Sequence, residues 1–198
     1  MQVHVNTHDI IQPTWVVSDT HFGHARIQEF YPMRLAWGAT VTDMTATMIR
    51  AWSERVGPED IVLHIGDFAM GHKETWPRYR AQLTGRLLLV IGNHDRRFEE
   101  WLRPDDIAVD RFEFVHPQVG TIVCRHNPAE FTEEDAQRAS VLLHGHLHSG
   151  THRQHPLDEI VSKCLCASVE VLPGPGPMLL DEFLMRMPRA GLAPTPNP

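Results

Sequence analysis

The chain has 198 residues, 42% of them hydrophobic and 22% charged, a composition that suits one globular domain and excludes a disordered or fibrous chain. A formal charge of −7 argues against a broad non-specific nucleic-acid footprint, which needs a basic face. No apolar run approaches the roughly 20 residues that span a bilayer. An odd three cysteines, no CxxC pair and no basic-then-apolar leader pattern make the cytoplasm the expected compartment.

Residues 1–13 carry little periodicity and read as a short strand or arm ending at Pro13. Trp15–Ser18 is a compact apolar run, a strand that delivers Asp19 at its C-terminal end. A turn of helix follows near Ala25–Phe30, broken by Pro32. Thr42–Val56 is the clearest helix: Met44, Met48, Ile49 and Trp52 recur at helical spacing, Thr40 or Thr42 caps it, and Gly57-Pro58 stops it. Ile61–Ile65 reads as a second buried strand ending at Gly66-Asp67, and Lys73–Leu83 as a helix. Leu87–Ile91 is a third strand, ending at Gly92-Asn93-His94-Asp95, with a short helix over Phe98–Leu102.

After Pro104 the pattern turns towards β. Phe112–Val115 and Gly120–Arg125 can pair across a turn, the second delivering His126. Thr132 with Asp135 resembles a capping box opening a helix over Thr132–Arg138. Val141–His144 is a strand ending at Gly145-His146-Leu147-His148. Ile160–Leu172 reads as one or two strands, with Cys164 and Cys166 as buried structural thiols on one side. Leu180–Met187 reads as a terminal helix. Residues 1–187 are therefore expected to form a single domain, and the Pro-rich tail 188–198 to be disordered. Strands alternating with helices, then mostly strands, predict an α/β fold of two packed sheets with helices outside.

The strand ends carry the chemistry. Carboxylate oxygens and imidazole nitrogens suit Mn²⁺, Fe²⁺, Zn²⁺ and Ni²⁺. Two such ions about 3.5–4 Å apart can clamp a phosphoester and lower the pKa of a bridging water. A carboxylate can serve both ions, an Asn oxygen adds a ligand without charge, and a spare histidine can serve the leaving group. Among the 14 histidines, His4, His8, His116 and His155 sit in polar or turn-like contexts and are expected in solvent. His144 is expected to pack beneath the site, and Trp37, Trp76 and Trp101 to pack in the core or a groove. Arg97 is expected in surface pairing, and Arg125 should alternate away from His126.

Together, Asp19-Thr20-His21, Gly66-Asp67, Gly92–Asp95, His126 before Asn127-Pro128, and Gly145–His148 resemble the motif set of the calcineurin-like metallophosphoesterase superfamily. Ser18–His24, His64–Ala69 and His144–Ser149 are similar to its small bacterial and phage-type members without a cap domain. One departure is that those members usually open a late strand with Asn-Val, where this chain has Cys166-Ala167 before Ser168. The resemblance implies a four-layer α-β-β-α sandwich of two mixed sheets flanked by helices. It implies that Asp19, His21, Asp67 and His148 hold one ion and that Asp67, Asn93, His126 and His146 hold a second. His94 would be the catalytic histidine facing substrate, oriented by Asp95. From position alone, Arg96 and Asn93 are expected at the substrate, and His24, three residues after His21, either faces the substrate phosphate, donates behind a ligand or caps the following helix.

Two divalent ions are the expected cofactors, Mn²⁺ first, with Fe, Zn or Ni as alternatives. The expected activity is hydrolysis of a phosphodiester or phosphomonoester by a bridging hydroxide, with His94 assisting the leaving group. The partner is then a phosphoester, a nucleotide among the candidates, with no membrane. Nuclease activity on DNA or RNA uses the same centre but is disfavoured by the acidic balance. A non-catalytic metal-binding scaffold would be expected to have lost a ligand or His94, and none is lost.

Overall fold

Apolar runs too short to stand alone pair side by side in the computed structural model, which describes residues 11–148 and 162–186. Strand β1 (Trp15–Val17) lies parallel to β2 (Ile61–His64), β2 to β3 (Arg86–Val90), and β3 to β4 (Ile107–Val109). A two-residue antiparallel strand, β9 (Met178–Leu179), closes the far edge in the order β4-β3-β2-β1-β9. The second sheet runs β5-β6-β7-β8: Phe112–His116 antiparallel to Gly120–Cys124, then Val141–His144 and Cys164–Cys166 in parallel. A bridge between Ser18 and Ser168 stitches the two sheets where the site lies.

Side-chain alternation decides which face is inside. Ile122, Cys124, Val141 and Leu143 share one buried cluster with Val16, Leu63 and Leu88 of the other sheet. Val123 and Leu142 point the opposite way, onto Phe131, Ala136 and Ala139 around helix α4 (Glu133–Arg138). Helix α1 (Ile27–Phe30) is short. Helix α2 (Val41–Ser53) packs the predicted stripe, with Met44, Met48 and Trp52 fully buried, and α3 (Trp76–Gln82) adds Trp76 and, just past its end, Leu83. These helices flank the five-stranded sheet, so the layers are α-β-β-α. No helix among the described residues is long and apolar enough to cross a membrane.

Several elements differ from expectation, each for a local reason. Pro32 opens a 3₁₀ helix over Pro32–Trp37 instead of ending helical structure, because its fixed φ suits a first helical position. Of the segment Ile160–Leu172, residues 162–172 are described and hold one strand, β8, within the one or two expected; Val169–Val171 winds into a 3₁₀ turn, with Val169 N–H bonding Ser18 C=O at 3.0 Å. The edge strands β4 and β9 were not anticipated. His116 is buried, with Nε2 2.8 Å from Asp181 Oδ1, which ties β5 to α5 (Leu180–Met185). Cys166 is buried as expected, but Cys164 only half so. Residues 1–10, with His4 and His8, and His155, Met187 and the tail lie outside the described residues.

The capping box at Thr132 and Asp135 is present. Burial would raise the Asp135 carboxyl, but the Thr132 amide, Arg111 and Arg125 outweigh it and hold it below the ordinary 3.8. A depressed carboxyl stabilises the fold above its unfolded pKa and loses that contribution as pH falls through the lowered value. Asp135→Asn is therefore expected to cost about 2 kcal/mol at neutral pH, with the difference in melting temperature shrinking to nothing on acidification. A difference independent of pH in thermal melts would contradict the ionic origin.

Candidate metal centre

Six non-glycine residues among those described have positive φ, and five are expected ligands: Asp19 (56°), His21 (47°), Asp67 (58°), His146 (68°) and His148 (52°). Left-handed backbone at residues with a Cβ costs about 1–3 kcal/mol each and persists only where the surroundings impose it. Here paired turns impose it: Asp19 N–H bonds Gly66 C=O at 3.0 Å, and His21 N–H bonds Asp67 C=O at 3.1 Å. Each ligand leaves a strand end and turns back across the top of the sheets. Gly66, at φ 82°, can take no side chain, since a Cβ there would run into the His126 ring and lie 2.8 Å from Gly92 Cα.

Two donor sets result, each with its ligand atoms within 4.8 Å of one another: Asp19, His21 and His148, and Asp67, His126 and His146. In the first, His148 Nε2 lies 3.3 Å from His21 Nε2 and 3.6 Å from Asp19 Oδ1. In the second, Asn93 Oδ1 lies 3.2 Å from His126 Nε2 and 3.1 Å from His146 Nδ1. Asp67 Oδ2 stands between the sets, 3.6 Å from His21 Nε2 and 3.4 Å from His126 Nε2. Most of these gaps exceed a good hydrogen bond, and imidazole nitrogens face one another across them. Neutral donors converging on carboxylate oxygens in this way fit divalent cations.

The electrostatics point the same way. Burial pushes the His21 imidazole well below its usual range and lowers His146, leaving their lone pairs free. Burial would raise Asp67, but His126 and His21 hold it far below the carboxylate range. Burial opposes protonation of His126 too, yet the Asp67 carboxylate beside it, at 3.4 Å, raises it to about 9. A cation would replace that proton. Burial raises Asp19, whose carboxylate accepts from Ser168 Oγ at 2.7 Å and His146 N at 3.0 Å.

His94 sits on the open side, its ring 41% exposed and Nε2 3.9 Å from Asp67 Oδ2. Asp95 does not orient it by a hydrogen bond. Buried, it accepts instead from the backbone N–H groups of Asp67 (2.7 Å), Phe68 (2.8 Å) and Gly92 (2.8 Å), bracing two ligand turns. Burial nevertheless pushes its carboxyl up to about 6. His24 is half-buried, edge-on to His21 at 5.7 Å between ring centroids. Arg96 stands outside the ligand ring, lining a cavity of about 190 Å³ with Lys73, Trp76 and Trp101. Arg97 pairs with Glu100, and Arg125 turns away to Asp135. His144 is fully buried beneath the site. Trp76 and Trp101 are core residues; Trp37 is half-buried under the Arg34 guanidinium.

Sequence reading missed Arg34, Tyr31, Ser168 and Glu170, all of which touch ligand residues. The one available signal was a charged residue between apolar neighbours, as in Val169-Glu170-Val171.

The chain is 26% identical to an uncharacterized protein of Methanocaldococcus jannaschii over 80% of its own length and 82% of that protein. It is 28% identical to the Gene 66 protein of Mycobacterium phage L5, over 69% and 77% of the two chains. A solved structure of a protein of unknown function from Aquifex aeolicus superposes with a TM-score of 0.60 at 25% identity, covering 87% of this chain and 98% of that one. The family model of the calcineurin-like phosphoesterase superfamily domain matches residues 14–165. Its members usually bind divalent metals. The chain belongs to the calcineurin-like phosphoesterase superfamily.

Proposed function

We propose that the chain hydrolyses a phosphodiester or phosphomonoester at a two-ion centre, Mn²⁺ being the first expected ion. The observation that carries this reading is Asp67 Oδ2, facing His21 and His126 from two separate donor sets with His94 3.9 Å away on the open side. Asp19, His21, Asp67 and His148 would hold one ion, and Asp67, Asn93, His126 and His146 the other. When bound, the ions supply Lewis acidity toward phosphoryl oxygens and a water acidic enough to be a nucleophile near neutral pH.

The chain's own residues do the rest. Asp95 keeps the Asp67 and Gly92 turns in register, so the shared carboxylate stays between the two sets. Water gives up a proton to solvent as its oxygen bonds to phosphorus and the bond to the leaving oxygen breaks, and His94 Nε2 delivers its own proton to that leaving alkoxide, regaining one from solvent after product leaves. His24 and Asn93 border the scissile phosphate, and Arg96 meets groups beyond it.

The test is a reconstitution panel. Chelated protein should be inactive and should regain turnover with Mn²⁺ on an aryl phosphodiester or aryl monoester, with cyclic nucleotides and single-stranded DNA as further substrates. Reconstituted protein that binds two ions yet turns over none of them would overturn the catalytic reading. Preferential cleavage of DNA would replace the small-ester assignment with a nuclease.

A further inference from the structure

Arg34 has no exposed surface, and its donors converge on the wall of one donor set. Nε donates to Glu170 Oε1 at 2.7 Å, Nη1 to Thr20 C=O at 2.9 Å and Nη2 to Asp19 C=O at 2.6 Å. The same Glu170 oxygen lies 2.9 Å from His148 Nδ1. One buried guanidinium therefore ties the turn carrying Asp19 to the carboxylate that holds His148.

A neutral imidazole carries one proton, and a carboxylate beside Nδ1 draws it there. Nε2 is then left with its lone pair, on the side facing His21 and Asp19. The ring is also clamped between two others, Tyr31 stacked at 4.3 Å and His21 at 5.1 Å. Among the described residues no carboxylate backs His146, which is half-buried, with Nδ1 3.1 Å from Asn93 Oδ1 and its ring edge-on to His126 at 5.2 Å. A buried ion pair is a poor way to gain stability, since apolar replacements are often as good or better. Its presence here asks for a purpose in the site.

We propose that Glu170, fixed by Arg34, is the positioning residue that locks His148 in its Nδ1–H tautomer and makes the Asp19–His21–His148 set the tighter cation site. This rests on the two-ion reading above. Ser168 bonds Asp19 and Glu170 bonds His148, both from the 168–170 turn. A carboxylate behind a ligating histidine is typically worth about 10–100-fold in metal affinity.

The test uses the full chain. Imidazole ¹⁵N spectra of the metal-free protein report the His148 tautomer, and Mn²⁺ titration reports both affinities. Wild type should show Nδ1–H on His148 and two unequal sites. Glu170→Gln keeps an acceptor oxygen, so the tautomer should persist while the tighter site weakens about 10-fold. The double variant Arg34→Met/Glu170→Leu leaves no buried charge unpaired but removes the donors to Thr20 C=O and Asp19 C=O, so metal-free melting should fall modestly while the fold persists. Its His148 should lose the tautomer preference and its tighter site about 100-fold in affinity, with the weaker site unmoved.

An Nε2–H His148 in wild type, or equal weakening of both sites, would overturn the proposal. So would unchanged Mn²⁺ affinity in Glu170→Gln, which decides alone should the double variant not fold. Two tightly held ions in wild type with no response to either variant would sink this role and leave the two-ion centre standing. Correctly tautomerised wild type that takes up no ion would sink the centre itself, and the purpose assigned to Glu170 with it.

Discussion

Replacing Asp67 with Asn is expected to drop Mn²⁺ content from two ions to less than one and turnover of an aryl diester by about 10³-fold. The reason is placement. Asp67 Oδ2 faces His21 at 3.6 Å and His126 at 3.4 Å, one nitrogen from each donor set. Asn would keep an oxygen to accept His94 N–H, now 3.0 Å from Oδ1, so the turn should hold its shape. It would present a neutral group where two cations need a shared anion. Metal analysis of gel-filtered protein decides the matter, and a variant that retains both ions tightly would contradict the bridging role.

His94→Ala should behave in the opposite way. Ring Nε2 lies 3.9 Å from Asp67 Oδ2, and it is the backbone N–H of His94 that bonds Asp67, at 3.0 Å. Mn²⁺ content should therefore stay at the wild-type level. Turnover of an alkyl diester should fall about 10²–10⁴-fold, the usual scale for losing a positioned general acid. An aryl ester, whose leaving group needs no proton, should lose far less. Equal losses on both substrates would place His94 in charge stabilisation instead of proton delivery.

The two expected results would divide the site into a part that holds charge and a part that meets substrate. That division was readable from residue types, but its reasons were not. Asp95 was expected behind His94 as an orienting carboxylate. The structure gives its oxygens to three backbone amides, because two ligand turns meet there and their N–H groups would otherwise be buried unpaired.

What the sequence determined by itself was local. Alternating or continuous apolar runs located β1, β2, β3, β6 and β7 and the carboxylates and histidines at their ends. The stripe Met44–Met48–Trp52 and the box Thr132–Asp135 located α2 and α4. Periodicity and capping act within a few residues, so a single sequence displays them. Strands of three and two residues, β4 and β9, are too short to show a period, and pairing alone makes them strands.

The tertiary structure decided everything that depends on distant partners. It forced five candidate ligands into left-handed backbone by pairing turns from different strands, and no local preference announces that. It joined Arg34 to Glu170 across 136 positions and set both behind His148. The candidate ligands belong to local motifs and so were legible; the groups that contact them meet only when the two sheets close on each other.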